Sequence, residues 1–205
     1  MKVKALIPAL LFFFSLLALP VAVNASGLSK APPFTADLII EGADKTIRAK
    51  LYNKDPYIRR LEMSTQSGGH IFIKPDGARG KIWMLDPAKK QYRILAYPEK
   101  HLDPIEAWAD IQYEMEGGFT GEETLDGHPC AVYQFRYPGS KKVALKIWQA
   151  EDLHFPIKKQ ADAKIVVKQG EQPEVTKGTF RVVNIKPEKL DDSLFEIPAE
   201  YTEIK

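Results

Sequence analysis

The chain has 205 residues, 44% of them hydrophobic, and 29 Lys and Arg face 27 Asp and Glu. Two of the basic residues, Lys2 and Lys4, lie in an N-terminal leader, so the remainder balances at 27 against 27 and carries no chain-wide argument for nucleic acid or an anionic membrane surface. A single cysteine, Cys130, excludes an internal disulfide, so an exported chain of this kind must fold on its packing alone.

The leader is the first element in chain order. Lys2 and Lys4 precede an uncharged run from Ala5 to Val23, with Phe12, Phe13 and Phe14 at its centre. Val23-Asn24-Ala25 then places small or aliphatic residues at the −3 and −1 positions, the pattern of a signal peptide cleaved after Ala25. The rival reading is a retained anchor, since the run is just long enough to span a bilayer. Pro20 near its end and the peptidase site at Ala25 favour cleavage. No cysteine stands at the junction to carry a lipid. The expected organisation is a signal peptide over 1–25 and one domain over 26–205, a size suited to a single core.

Past the loop containing Pro32 and Pro33, the apolar pattern has period two. Phe34, Ala36, Leu38 and Ile40 alternate with Thr35, Asp37 and Glu41, which predicts a half-buried strand. Ile47, Ala49 and Leu51 mark a second, Leu61 and Met63 a third, and Ile71-Phe72-Ile73 a fourth. Lys74-Pro75-Asp76-Gly77 supplies a turn, because proline presets the first angle and glycine accepts a positive φ. Ile82-Trp83-Met84-Leu85 is apolar on both faces. Asp86-Pro87-Ala88-Lys89 turns the chain into a return strand with Tyr92, Ile94 and Leu95. Such short turns join antiparallel neighbours.

Asp103-Pro104-Ile105-Glu106 is the clearest helix start: a capping aspartate, a proline at the first helical position and a glutamate closing the capping box. Ile105, Trp108 and Ile111 follow at helical spacing, an amphipathic helix that lays Trp108 on an apolar surface. Strands resume after Gly117-Gly118, and Asp126-Gly127 signals a hairpin. Tyr133, Phe135 and Tyr137 alternate in one strand, and Val143, Leu145 and Ile147 in the next. Ile157 to Val167 and Val175 to Ile185 read as two long strands around Glu171-Gln172-Pro173. Leu194 to Pro198 reads as a short packed tail. The sum is ten or eleven strands and one or two helices. The expected fold class is mainly β (α+β), a strongly curved antiparallel sheet forming an unclosed half-barrel.

Catalytic chemistry is not signalled. The four histidines, His70, His101, His128 and His154, show no metal-ligand spacing, and no metal or other cofactor is expected. No GxSxG elbow, P-loop or GxGxxG occurs. Asp103, Glu106 and Asp110 are better explained by helix capping than by acid–base work. Arg59-Arg60 offers a grip for phosphate or carboxylate, or a solvated strand edge. Cys130, between Pro129 and Ala131, reads as a small buried hydrophobe. What stands out is surplus apolar surface. Phe72, Trp83, Met84, Ile94, Trp108, Phe135 and Trp148 exceed the needs of a one-sided sheet and suit an adaptable apolar pocket.

Several segments resemble the LolA-like superfamily of periplasmic lipoprotein carriers, and in particular its uncharacterised exported branch. They are Phe34-Thr35-Ala36-Asp37, Lys50-Leu51-Tyr52, Arg59 to Met63, the hairpin Ile82 to Tyr92, Gly121 to Cys130, Trp148, Asp152-Leu153 with Pro156-Ile157-Lys158, and Phe195 to Pro198 with Tyr201. Their order and spacing carry the resemblance. It implies a periplasmic location, an open barrel covered by helices, and a cavity that binds lipid or a lipoprotein acyl chain. The alternative is an envelope protein-interaction or stress-sensing module that binds a polypeptide on the face or edge of the sheet and no lipid.

Overall fold

The computed structural model describes residues 31–42, 46–55, 57–65, 68–75, 81–96, 105, 115–162 and 177–204. The signal peptide and its cleavage site, the turn at Asp76-Gly77, Trp108 and the rest of its helix apart from Ile105, and Glu171-Gln172-Pro173 lie outside the described residues.

Twelve strands form one sheet. In chain order they are β1 (Phe34–Glu41), β2 (Thr46–Asn53), β3 (Arg59–Thr65), β4 (Gly68–Lys74), β5 (Ile82–Asp86), β6 (Gln91–Leu95), β7 (Glu116–Leu125), β8 (His128–Arg136), β9 (Leu145–Ala150), β10 (Phe155–Ala161), β11 (Gly178–Pro187) and β12 (Thr202–Glu203). Their order across the sheet is β12-β6-β5-β4-β3-β2-β1-β11-β10-β9-β8-β7. The chain therefore starts in the middle, steps outward to β6, crosses to the far edge at β7 and returns inward to pair β11 with β1. Every pairing is antiparallel except β12 on β6. The tail thus packs as expected, and it also adds a short parallel strand that its sequence does not announce.

Local chemistry sets the turns. Asp86 accepts from the amides of Ala88 and Lys89, both at 3.1 Å, while Lys90 takes φ 51°. Asp126 and Gly127 both have positive φ, 52° and 86°, which suits the tight β7–β8 hairpin. Curvature has its own devices. Register shifts at Thr35/Asp37, Pro156/Lys158 and Phe119/Gly121 insert extra residues and increase the local twist. Asn184, at φ 55°, lies opposite the first of these and ties its side-chain amide to Asp37 at 2.7 Å. β9 begins at Leu145, so Val143, expected within that strand, lies before it and is exposed.

Side chains alternate, so each strand contributes to two faces. The inner face joins Phe34, Leu38, Leu51, Leu61, Phe72, Ile82, Leu95, Leu145 and Phe180 in the main hydrophobic cluster, reached also by Ile105, which is helical. On the outer face a second cluster forms around Ile73 and Leu85. It is covered by Leu190, Leu194 and Phe195 of the C-terminal segment, where Asp191 caps the short 3-10 turn Asp192–Phe195. The two-sided apolarity of β5 follows: Ile82 and Met84 serve the inner cluster, Trp83 and Leu85 the outer one.

Candidate functional site

Cross-strand partners share a face, so the register traces rows across the sheet. One inner row runs Phe119, Tyr133, Ile147, Lys159, Phe180, Ile40, Ile47. Another runs Ala36, Leu51, Leu61, Phe72, Met84, Arg93. The middle of each row is sealed, with Leu51, Leu61 and Phe180 at 0% exposure. The flanks are not. Met63, Met84, Met115, Tyr133 and Phe135 are only partly buried against the cluster, and Phe119 is 59% exposed while meeting Tyr133 edge-on at 6.1 Å. An apolar floor bordered by partly exposed methionine and aromatic side chains is a surface that can adapt to a flexible apolar ligand.

Of the residues singled out in the sequence, Phe72, Met84 and Phe135 come together on this inner face. Trp83 and Ile94 do not. They are partners in the outer row Tyr52, Arg60, Ile73, Trp83, Ile94, and Trp83 packs with the second cluster. The run Ile82 to Leu85 is continuous in hydrophobicity, and strand alternation divides it between two surfaces. Trp148 is buried and belongs to the main cluster, yet by register its row is Val132, Trp148, Lys158, Arg181, Ile39, which carries charged side chains on the outer side. Its cover is polar: the ammonium groups of Lys146 and Lys158 lie 4.3 and 4.4 Å from the ring centroid, and the indole N–H donates to Glu123 at 2.7 Å. Hydrogen bonds from Lys146 and then Trp148 hold the Glu123 carboxyl below its ordinary pKa.

Sequence reasoning passed over Phe119, Tyr133, Met63 and Met115 as residues bordering this face. For Tyr133 and Met63 the alternation with Phe135 and Leu61 was the available signal. Phe119 stands among glycines, which hid its strand. It likewise missed Lys159, buried in an apolar row with its ammonium 5.5 Å from the Phe180 ring. Arg59-Arg60 is no solvated edge, because β3 sits between β2 and β4. Arg59 is 4% exposed, and Arg60 donates to Glu62 at 2.7 Å and to the Leu194 carbonyl at 3.0 Å.

The polar surface is organised differently. An open depression of about 700 Å³ on the outer side is lined by Asp37, Arg48, Lys50, Glu62, Ser64 and Asn184, among others. The hydrogen bond from Asn184 is the main cause holding the Asp37 carboxyl below the usual range. His128 and Asp152 meet at 2.8 Å beside the β7–β8 turn. Burial raises the pKa of the Cys130 thiol. Among the described residues no three His, Cys, Asp or Glu side chains gather in a way that could hold a metal ion.

No family model and no curated protein matches the sequence. Solved structures do match in fold. An uncharacterised conserved protein from Thermus thermophilus aligns with a TM-score of 0.51 at 14% identity, over 85% of this chain and 90% of that one. A LolA superfamily protein from Nitrosomonas europaea aligns with a TM-score of 0.38 at 12% identity, over 81% and 90%. A chain of the Pseudomonas aeruginosa MucA/MucB complex aligns with a TM-score of 0.46 at 14% identity, over 85% of this chain and 59% of that one. The unclosed, curved sheet expected from the sequence is the one observed, and a LolA superfamily protein is also among the solved structures to which it is similar.

Proposed function

We propose that this protein is an exported, periplasmic carrier or sensor of a hydrophobic ligand, a lipid or a lipoprotein acyl chain, and that it works by binding without catalysis. The ligand lies on the inner face of the half-barrel. One observation carries the reading: a single apolar face built by β1–β6 and β8–β11, with methionine and aromatic side chains left partly exposed along it. A folded chain that needed this face only as core would have no reason to leave Phe119 exposed beside the partly buried Tyr133 and Phe135. Each methylene buried there contributes ~0.8 kcal/mol. Shortening a bound chain by two carbons therefore weakens binding about tenfold.

Titration calorimetry with fatty acids of increasing length tests this. Affinity should climb with chain length, and Phe119→Asp should weaken it several-fold while Ile94→Asp, exposed on the outer row beside Trp83, leaves it unchanged. Absence of binding, or affinity indifferent to chain length, would refute the proposal.

A second reading rests on a different observation. β7 is an edge strand of ten residues, and no strand among the described residues pairs with its outer side. Such an edge can accept an extended polypeptide as an added strand. Capture of one stable envelope partner at fixed stoichiometry, with no lipid present, would favour it.

A further inference from the structure

Two methionines meet a histidine at the flank of the inner face. Met63 on β3 and His70 on β4 are directly opposite each other, in the row next to that of Leu61 and Phe72. His70 is half-buried, and its Nδ1 is shut away from solvent without a hydrogen-bond partner. A ring nitrogen left in that state weakens the fold, so its presence calls for a reason. Met84 on β5 is opposite Phe72, which makes it the diagonal neighbour of His70 on the same face. Cβ atoms of opposite residues stand ~5 Å apart and those of diagonal neighbours ~7–8 Å, spans that side chains as long as methionine and histidine bridge. Three adjacent strands thus bring one imidazole and two thioethers to a single patch.

We propose that His70, Met63 and Met84 bind copper(I). Thioether sulfur is a soft donor that selects Cu(I), and imidazole also suits copper. In the tautomer protonated at Nε2, the Nδ1 of His70 presents the lone pair that the fold leaves unused, and the metal satisfies it. A thioether carries no proton to be displaced and forms no disulfide in an oxidising compartment. Harder ions lack a matching set, because among the described residues no three His, Cys, Asp or Glu side chains gather in a way that could hold one. Charge points the same way. Arg93 on β6 is opposite Met84, and a nearby cation opposes a divalent ion more than a monovalent one. The sequence hides the site because its ligands come from different strands and meet only through register. This inference goes beyond the hydrophobic-ligand reading and stands without it.

The test titrates the mature protein with Cu(I), held reduced by ascorbate and buffered by the coloured chelator bicinchoninate. Wild type should take up one Cu(I) per chain. Cys130→Ala should take up the same, which separates the site from the buried thiol. Met63→Leu and His70→Phe, both close to the native side chain in size, should each weaken uptake about tenfold or more, no less than the loss of an outer-shell group costs a metal site. In wild type carrying methionine labelled at the 13C methyl, Ag(I), a redox-stable soft cation, should shift the Met63 and Met84 resonances and leave that of Met115 in place. Failure of wild type to compete with the chelator, loss of uptake in Cys130→Ala, or undiminished uptake in either Met63→Leu or His70→Phe overturns the site. Unmoved Met63 and Met84 methyl resonances overturn it as well, whether or not the variants fold.

Discussion

At the scale of single residues, the tryptophans owe their burial to quite different surroundings. Trp148 is sealed by Lys146, Lys158 and Glu123 and holds the outer side of β7–β10 together. Trp148→Ala should cost ~3–5 kcal/mol, the usual range for truncating a buried aromatic. Trp148→Phe should cost ~1–2 kcal/mol, mainly the lost hydrogen bond to a charged acceptor. Urea unfolding of both variants checks the ordering, and equal losses would contradict it. Cys130 behaves as the small buried hydrophobe its neighbours suggested, since burial raises its thiol pKa. The raised pKa means that the protonated form is favoured in the folded state. Its stabilising contribution is complete below the unfolded thiol pKa and fades as pH rises through the folded one. In the native protein at pH 8 the thiol should resist iodoacetamide, and it should react at once after unfolding.

At the scale of elements, β7 and the C-terminal segment make opposite demands. Gly117 lies in β7 at φ 155°, and a Cβ there would come within 2.0 Å of the Gln134 carbonyl oxygen on β8. Gly118 beside it has open space. Gly117→Ala should therefore destabilise the β7–β8 hairpin by ~2–4 kcal/mol, and Gly118→Ala should change stability by less than ~1 kcal/mol. Thermal melts of the pair decide it; matching melting temperatures would show that the close approach to β8 does not constrain this position. In the C-terminal segment, Phe195 packs on the outer cluster that includes Trp83. Phe195→Ala should cost ~3–5 kcal/mol. It should also expose Trp83 and shift its fluorescence to the red, with no change in ligand affinity if the ligand lies on the inner face as proposed. The strands themselves were legible, since strict alternation around Phe34, Ile47 and Tyr133 needs nothing beyond local sequence. Which face each apolar side chain takes was not. Trp83 and Ile94 look equivalent to Phe72 and Met84 until the register shows that they point the other way, and register is set by distant strands. The parallel β12 was hidden for the same reason: Thr202-Glu203 is too short to carry a pattern, and its partner lies on β6.

At the scale of the whole molecule, acid stability reports how the surface is tied. Asp37 is held below its ordinary pKa chiefly by Asn184, Asp86 by Lys89, Glu123 by Lys146, Asp162 by Lys142 and Asp191 by Ser193. With folded pKa values depressed, the unfolded chain binds more protons. The stabilisation is present above the unfolded carboxylate pKa and lost as pH falls through the folded values. The urea midpoint should fall from about pH 5 downward, and the slope should flatten in high salt because most of these pairs are exposed. A midpoint that holds or rises on acidification would contradict the assignment of these ties.

The central claim is that the inner face carries a hydrophobic ligand. Native mass spectrometry, with lipid extraction, of the mature protein purified from the envelope of its own host tests it most directly. The account predicts a bound lipid or acylated peptide at fixed stoichiometry, lost on extraction and regained on adding fatty acid. A clean apo mass with no uptake of added fatty acid or lipopeptide would contradict it and turn attention to the open edge at β7.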